Sequence, residues 1–145
     1  MTTKPDTGRT WIAMAFVVIA SLLSGGVAAQ TEPLVMKFLD KAAVSDIVPG
    51  ATEYGQLRTD IPVVEALKGS EVVGYVFLTS DFVTTTGYSG KPIHTLMGVD
   101  DNAKVTGVRL VKHSEPIVLV GIPESKITAV TEKYAGLDLI AEAAA

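Results

Sequence analysis

The sequence predicts an α+β domain, built mainly from an antiparallel sheet with flanking helices, behind an N-terminal apolar segment. Three runs rich in β-branched residues, Val72 to Leu78, Ile93 to Val99 and Val105 to Val111, are bounded by turn-forming residues, as in hairpins. Helix-spaced apolar residues precede and follow these runs instead of alternating with them, which is the element order of an α+β domain. The 145 residues leave room for one such domain.

The first thirty residues have the organisation of a targeting segment. Lys4 and Arg9 precede an apolar run from Trp11 to Leu23, and the small residues Ala28 and Ala29 follow it. This is the order of a secretory signal, although the run is shorter than the roughly 20 residues of a membrane-spanning helix. A cleaved signal peptide and a retained signal anchor therefore both stay open for residues 1–29. Either one directs residues 30–145 to the periplasm, because the positive charges hold the N-terminus in the cytoplasm.

The first part of the exported chain predicts one helix and one hairpin. Apolar residues recur at helical spacing from Leu34 to about Val48, and Pro49-Gly50 ends the pattern. The polar stretch Thr52 to Asp60 predicts a loop. The apolar residues that follow Ile61 pair with the Val72 run across a turn at residues 68–71, which predicts a hairpin.

The second part predicts a long loop, a second hairpin and C-terminal helices. Thr79 to Pro92 is too rich in hydroxyls and glycines for a core strand. The two runs beyond it flank residues 100–104, a turn with residues that tolerate the left-handed conformation. Gly107, inside the later strand, indicates a bulge or a close backbone approach. A helix is predicted from Glu124 to about Tyr134, and the tail from Leu137 to Ala145 is compatible with another.

Composition excludes several functional classes. The chain has 12 Lys+Arg against 16 Asp+Glu, and its basic residues are scattered, so a nucleic-acid-binding surface is not expected. It has no cysteine, which excludes disulfides and thiolate-ligated zinc or iron–sulfur sites within these 145 residues. Its two histidines, His94 and His113, are too few for a histidine-rich metal site. Catalytic and nucleotide-binding motifs are absent too, so redox chemistry here requires an organic cofactor.

The polar loop before the second hairpin is the first candidate site. Gly87 and Gly90 let backbone amides approach an anion closely, Ser89 donates to phosphate oxygens, and Lys91 supplies a compensating charge. Tyr88 offers an aromatic face that suits the plane of a flavin or nucleotide ring. The alternative is an ordinary surface turn without a ligand, since loops of this composition are common.

The second candidate follows the last predicted strand. The charged stretch from Lys112 to Pro116 interrupts two apolar runs, and His113 within it is able to hydrogen-bond a cofactor or to change charge near neutral pH. The alternative is a solvated strand end at which His113 is satisfied by Glu115. His94 is predicted to be a sheet-surface residue, and we assign it no role.

Two blocks of the sequence resemble the NosR/NirI family of denitrifying bacteria. The first runs from Gly74 to Val83 and continues at Gly87 to Ile93, and the second runs from Leu110 to Pro123. They occur in the family's order behind a signal-like segment, and the resemblance covers roughly Val48 to Lys126. The pattern that begins at Gly87-Tyr88 also resembles the wider FMN-binding domain family, which includes NqrC- and RnfG-like redox subunits.

The resemblance implies a periplasmic FMN-binding domain that precedes membrane helices and iron–sulfur clusters in complete members. Domains of this type commonly attach FMN to a threonine in a Ser/Thr-Gly-Ala-Thr motif, which is expected beyond Ala145. Pro49-Gly50-Ala51-Thr52 imitates that motif, but it is interpreted as a helix end and not as the acceptor. Residues 30–145 are therefore expected to be a C-terminally incomplete FMN-binding domain without its own covalent acceptor threonine.

The resulting functional prediction is an FMN-binding electron-transfer or regulatory module without its own substrate. The resemblance implies that it supports the expression or activity of nitrous oxide reductase in denitrification. The predicted cofactor-binding residues are Gly87, Tyr88, Ser89, Gly90, Lys91, His113 and Glu115. The alternative is a partner-binding or assembly domain that contacts this copper reductase or its maturation factors and binds no flavin. Membrane contact is expected through the N-terminal segment if it is uncleaved.

Overall fold

Five antiparallel strands in the order β1-β2-β3-β4-β5 form the centre of residues 32–145, the part of the chain that this computed structural model describes. Every strand pairs with its neighbour in sequence, so the sheet is an up-and-down meander. This confirms the antiparallel sheet and both predicted hairpins. The strands are β1 Glu53–Leu57, β2 Val63–Lys68, β3 Glu71–Leu78, β4 His94–Val99 and β5 Val105–Lys112.

Short helices flank the sheet, which agrees with the α+β class. The helix predicted from residue 124 is confirmed as a helix continued by a 3-10 turn, Glu132–Tyr134. No helix among residues 32–145 is long and apolar enough to cross a membrane, and the predicted targeting segment, residues 1–29, lies outside the described residues. The α-helices are α1 Val44–Ile47, α2 Pro116–Gly121, α3 Glu124–Thr131 and α4 Leu139–Ala143.

The prediction of one helix from Leu34 to Val48 is wrong. The segment forms two 3-10 turns, Leu34–Lys37 and Leu39–Lys41, and only then the single turn of α1. Ala42 is extended, with φ −146° and ψ 144°, and interrupts the helical path. The carboxylate of Asp81 accepts the backbone N–H groups of Leu34 at 2.7 Å and Val35 at 2.8 Å. Contacts with Asp81, in the 3-10 turn Thr79–Asp81 that follows β3, therefore override the local helical pattern.

The prediction of a loop from Thr52 to Asp60 is also wrong, because it contains β1. This edge strand pairs Glu53 with Leu67 and Tyr54 with Ala66 in the neighbouring strand β2. The Tyr54 hydroxyl donates to the Ala42 carbonyl oxygen at 2.9 Å. Desolvation by burial raises the pKa of Tyr54 to about 12. Pairing with β2 and the Tyr54 hydrogen bond thus stabilise a strand that its polar sequence does not predict.

The core lies between the N-terminal segment and one face of the sheet. Strands β2, β3 and β4 contribute Val64, Ala66, Val76, Leu78 and Leu96, which are fully buried. The opposing side chains come from the 3-10 turn, from α1 and from the residues just after it, and they are Val35, Val44, Ile47, Val48 and Ala51.

A glycine pair lets α1 reach the sheet. Gly98 and Gly107 face each other across β4 and β5, next to a register shift. A Cβ atom added at either glycine would lie 2.5 Å from the Ile47 carbonyl oxygen. The same oxygen accepts the hydroxyl of Thr106 at 2.8 Å. This confirms the close backbone approach predicted at Gly107.

His94 couples the N-terminal segment to the sheet. Its ring stacks on Phe38 with centroids 4.9 Å apart, and its Nδ1 lies 2.8 Å from the Ser80 hydroxyl. Desolvation by burial lowers the pKa of His94, the charge of Lys112 lowers it further, and Asp81 opposes the shift. His94 is therefore only partly exposed, whereas the sequence predicts a residue on the sheet surface.

Replacing Gly107 with alanine should destabilise the fold by about 1 to 3 kcal/mol, since the Ile47 carbonyl cannot yield as a flexible side chain would. The free energy of unfolding in urea measures this. Gly121→Ala is the matched control, because an added Cβ atom there meets open space, and it should change stability by less than about 1 kcal/mol. Equal losses at both positions would contradict the close approach.

The His94 ring should titrate in an NMR experiment with a midpoint below its ordinary value of about 6.5. A lowered folded-state pKa means that the unfolded state binds more protons. The unfolding free energy should therefore fall as the pH drops below about 6.5, the ordinary pKa of the unfolded state. Lys112→Gln should raise the midpoint, whereas Lys68→Gln, at the distant β2–β3 turn, should leave it unchanged. A wild-type midpoint at or above 6.5 would refute the argument.

Candidate functional site

The Gly87–Lys91 loop is the tip of a small hairpin between β3 and β4. Thr86 and Pro92 form an isolated antiparallel bridge, and the Ile93 N–H donates to the Thr85 carbonyl oxygen at 3.1 Å. At the tip, the Gly87 N–H donates to the Lys91 carbonyl oxygen at 3.0 Å. Gly90 takes a φ of +72°, which favours glycine. The predicted polar loop is therefore a shaped turn held by its own backbone.

Glu115 joins this loop to the end of β5. Its carboxylate oxygen Oε1 accepts the Ser89 hydroxyl at 2.9 Å and the Ser89 N–H at 3.4 Å. Gly87 makes room for that carboxylate, because an added Cβ atom would overlap Oε1. The Lys91 N–H donates to the Ser89 hydroxyl oxygen at 3.3 Å, and the Glu115 N–H donates to His113 Nδ1 at 3.3 Å.

The two candidate segments of the sequence thus form one cluster. The structure brings Gly87, Ser89 and Glu115 together directly. Tyr88 is 95% exposed and lies outside the cluster's contacts. The Ser89 donors point to a carboxylate of the chain itself, so a phosphate at the same place would meet a negative charge. A flavin-binding role for the predicted residues remains a prediction.

A cleft lies below the loop, on the sheet face opposite the core. It has a volume of about 700 Å³ and adjoins a depression of about 310 Å³ that reaches toward Thr79 and Val83. Thr85 and Ile93, at the base of the loop's hairpin, line the depression, so the loop and the cleft are contiguous. One wall of the cleft comes from the sheet and the residue before β4, and the other comes from α3, the residues next to it and the 3-10 turn after it. The lining residues are Ile93, Thr95, Leu110, Ile122, Lys126, Ile127, Val130, Thr131 and Tyr134.

The chemistry of the cleft is apolar with a few polar groups. Leu110, Ile127 and Tyr134 offer aliphatic and aromatic surface, and Thr95 offers a hydroxyl. Lys126 is the one charged residue among those that line the cleft and its depression. Such a volume and such walls are typical of small-molecule sites.

Sequence reasoning missed this cleft. Its walls come from β4, β5 and α3, which only the fold brings together. One signal was available, because the second half of β4 carries apolar residues on both faces: Leu96 points into the core, while Met97 lines the depression. A strand in a sheet with one solvated face alternates apolar with polar residues, so the apolar run from Leu96 to Val99 indicates that both faces are covered there.

The residues present fit the ring of FMN better than its phosphate. The apolar walls and threonine hydroxyls suit a planar ring with one polar edge, whereas the neighbouring loop directs its Ser89 donors at the Glu115 carboxylate. The hydroxyl of Thr52, in the sequence Pro49-Gly50-Ala51-Thr52 that resembles the attachment motif, is hydrogen-bonded to neighbouring residues of the chain. It donates to the Leu67 carbonyl oxygen at 3.2 Å and accepts the Gly69 N–H at 3.4 Å.

Comparison with known proteins finds relatives of similar sequence named NosR and NirI. No protein-family model matches the chain. The regulatory protein NosR of Pseudomonas aeruginosa is 34% identical over 116 residues, which are 80% of this chain and 16% of that protein. The regulatory protein NosR of Stutzerimonas stutzeri is 32% identical over 132 residues, which are 90% of this chain and 17% of that protein.

A further relative carries a different name. The protein NirI of Paracoccus denitrificans is 28% identical over 123 residues, which are 85% of this chain and 18% of that protein. The chain therefore spans less than a fifth of the length of the relatives it matches. Because these three relatives match 80 to 90% of the present sequence, the chain belongs to the NosR/NirI family.

Proposed function

We propose that this chain is an FMN-binding module of a regulatory protein, and that the cleft between β4, β5 and α3 receives the flavin ring. The observation that carries the proposal is the cleft itself, about 700 Å³ of mostly apolar walls on a sheet face that the core does not use. This volume lies within the range of about 300 to 1,000 Å³ that small-molecule sites occupy.

The chain's own residues bind and orient the ring. Leu110 on the sheet and Ile127 on α3 pack against an aromatic plane and exclude water from it. The Thr95 hydroxyl is available to the polar edge of the ring. The Ser89–Glu115 contact holds the loop next to the cleft. FMN supplies one- and two-electron transfer when it is bound, and the protein tunes its potential through these contacts.

Membership of the family supports a biological role in denitrification. Two relatives are named regulatory proteins, and we propose that this chain takes part in the regulation of denitrification, supporting the expression or activity of nitrous oxide reductase. The signal-like order of residues 1–29 supports export to the periplasm. The apolar run within this segment supports a membrane attachment if it is retained.

A second candidate function is a partner-binding or assembly domain for that reductase or its maturation factors. Exposed apolar side chains around the loop and α2 favour it, since aromatic and aliphatic groups in such positions commonly anchor protein interfaces. They include Phe82 at 46%, Val83 at 58%, Tyr88 at 95% and Val120 at 88% exposure.

Filling the cleft should weaken flavin binding. FMN added to the purified full chain should give a saturable change in flavin fluorescence, and Thr95→Trp should weaken the affinity roughly tenfold or more, because the indole occupies the ring's volume. Thr59→Trp is the matched control, since Thr59 is exposed and lies outside the cleft. Bound flavin should be released into the supernatant on acid precipitation, as expected of a noncovalent ligand.

Two results would count against this assignment. A folded chain that binds no flavin would remove the proposal and leave the partner-binding function in front. Equal losses in Thr95→Trp and Thr59→Trp would show that flavin binds elsewhere or that the substitutions act through folding, which circular dichroism of both variants separates.

The loop's contribution is tested by replacing Tyr88 and Ser89 with alanine together. Loss of the Ser89 hydroxyl frees the loop from Glu115, and loss of the exposed ring removes an aromatic face, so FMN affinity should fall several-fold. Isothermal titration of the double variant measures this. An unchanged affinity would exclude these two residues from the flavin site while leaving the cleft in place.

A further inference from the structure

We infer that Thr131 and Tyr134 recognise the polar edge of the flavin ring, where the Thr131 hydroxyl oxygen accepts the N3–H group and the Tyr134 hydroxyl donates to an adjacent carbonyl oxygen. This recognition rests on the proposed function and deepens it, because it assigns the atoms of the ring that the cleft distinguishes. The polar edge then lies where the cleft meets the depression, and its recognition requires no charged group.

The cleft and the depression meet at four side chains, because Ile93, Thr95, Thr131 and Tyr134 line both of them. Three of these four residues carry a hydroxyl group. The other described residues that line the cleft are aliphatic, apart from Lys126. A planar ring with one polar edge therefore meets hydroxyl groups only at the end of the cleft that adjoins the depression.

The fold places Thr131 and Tyr134 on the same wall. Thr131 is the last residue of α3, and Tyr134 ends the 3-10 turn that continues it. Residues three apart on a helical path are neighbours on one face, which agrees with their shared place in both cavities. Thr95 belongs to the opposite wall, on the face of β4 that the core does not use.

The Thr131 hydroxyl is available to a ligand only as an acceptor. It donates its single hydrogen to the Thr128 carbonyl oxygen at 2.9 Å, so the lone pairs of Oγ1 are what remains. The hydroxyls of Thr95 and Tyr134 make no hydrogen bond to another residue within the described range 32–145, so each keeps a donor. The junction thus combines one acceptor with two donors.

This combination is complementary to the pyrimidine edge of a flavin. That edge presents the N3–H donor between two carbonyl acceptors. Thr131 accepts the N–H group, Tyr134 donates to one carbonyl oxygen, and the Thr95 donor on the opposite wall remains for the other. A polar group left unpaired in an apolar cleft is costly, so the site should reject a ring that lacks the N3 hydrogen.

The experiment compares lumiflavin, the flavin ring without ribityl chain or phosphate, with 3-methyllumiflavin, which lacks the N3 hydrogen. Fluorescence titration of the full chain measures both affinities. The wild type should bind lumiflavin roughly tenfold or more tightly than the methylated ring, because methylation removes the donor and leaves Oγ1 of Thr131 unpaired.

Three variants assign the difference to the two residues. Thr131→Val removes the hydroxyl and keeps the branched shape, so it should weaken lumiflavin about tenfold and leave 3-methyllumiflavin nearly unchanged. Thr131→Ser should keep most of the difference because it retains the acceptor. Tyr134→Phe should weaken both ligands several-fold and to a similar extent, since both retain the carbonyl groups. Thr59→Val, which is exposed and outside both cavities, is the matched control and should behave as the wild type.

Other outcomes overturn the inference in distinguishable ways. If Thr131→Val weakens both ligands equally, the residue acts through folding or packing and not through the N3–H group. If Tyr134→Phe changes neither affinity, the tyrosine hydroxyl takes no part. Equal wild-type affinities for the two rings, or binding of FMN without binding of lumiflavin, overturn the inference but leave the flavin function standing. A folded chain that binds neither FMN nor lumiflavin overturns both.

Discussion

The rest of the structure depends on the docking of α1 against the sheet. The Ile47 carbonyl oxygen accepts the Thr106 hydroxyl at 2.8 Å and lies over Gly98 and Gly107, where any side chain would collide with it. This approach brings the N-terminal segment onto β2, β3 and β4 and completes the apolar core. Because interiors are close-packed, one methyl group at this point would force the Ile47 backbone to shift.

Covering one face of the sheet leaves the other for a site. Successive residues of a strand point to opposite faces, so β4 sends Leu96 into the core and Met97 toward the depression that adjoins the cleft. On this second face α3 and the 3-10 turn after it pack against β5, and an apolar cleft remains between them. The polar loop borders the cleft because Thr85 and Ile93, at the base of its hairpin, line the adjoining depression. The fold thus combines an apolar cleft with a polar loop beside it.

The errors of the sequence-based prediction share one cause. The pattern from Leu34 to Val48 is helical in its spacing, yet Asp81 fixes its start from 46 or 47 residues away and an extended Ala42 breaks it. The polar residues of β1 look like a loop, yet they pair with β2. In the same way, the loop and the Lys112–Pro116 stretch were predicted as separate candidates, and only the contact between Ser89 and Glu115 unites them. Each case depends on contacts remote in sequence, which local patterns do not encode.

The sequence by itself determined the two hairpins, the antiparallel sheet, the C-terminal helix, the close approach at Gly107 and the family. Alternating β-branched residues and turn signals act locally, and a resemblance needs no structure, so these features are accessible without coordinates. Only the tertiary structure decided which faces are buried, where the cleft lies and which charged residue lines it. Lys126 and Leu110 meet at one cleft because α3 packs on β5, and no spacing in the sequence expresses that packing.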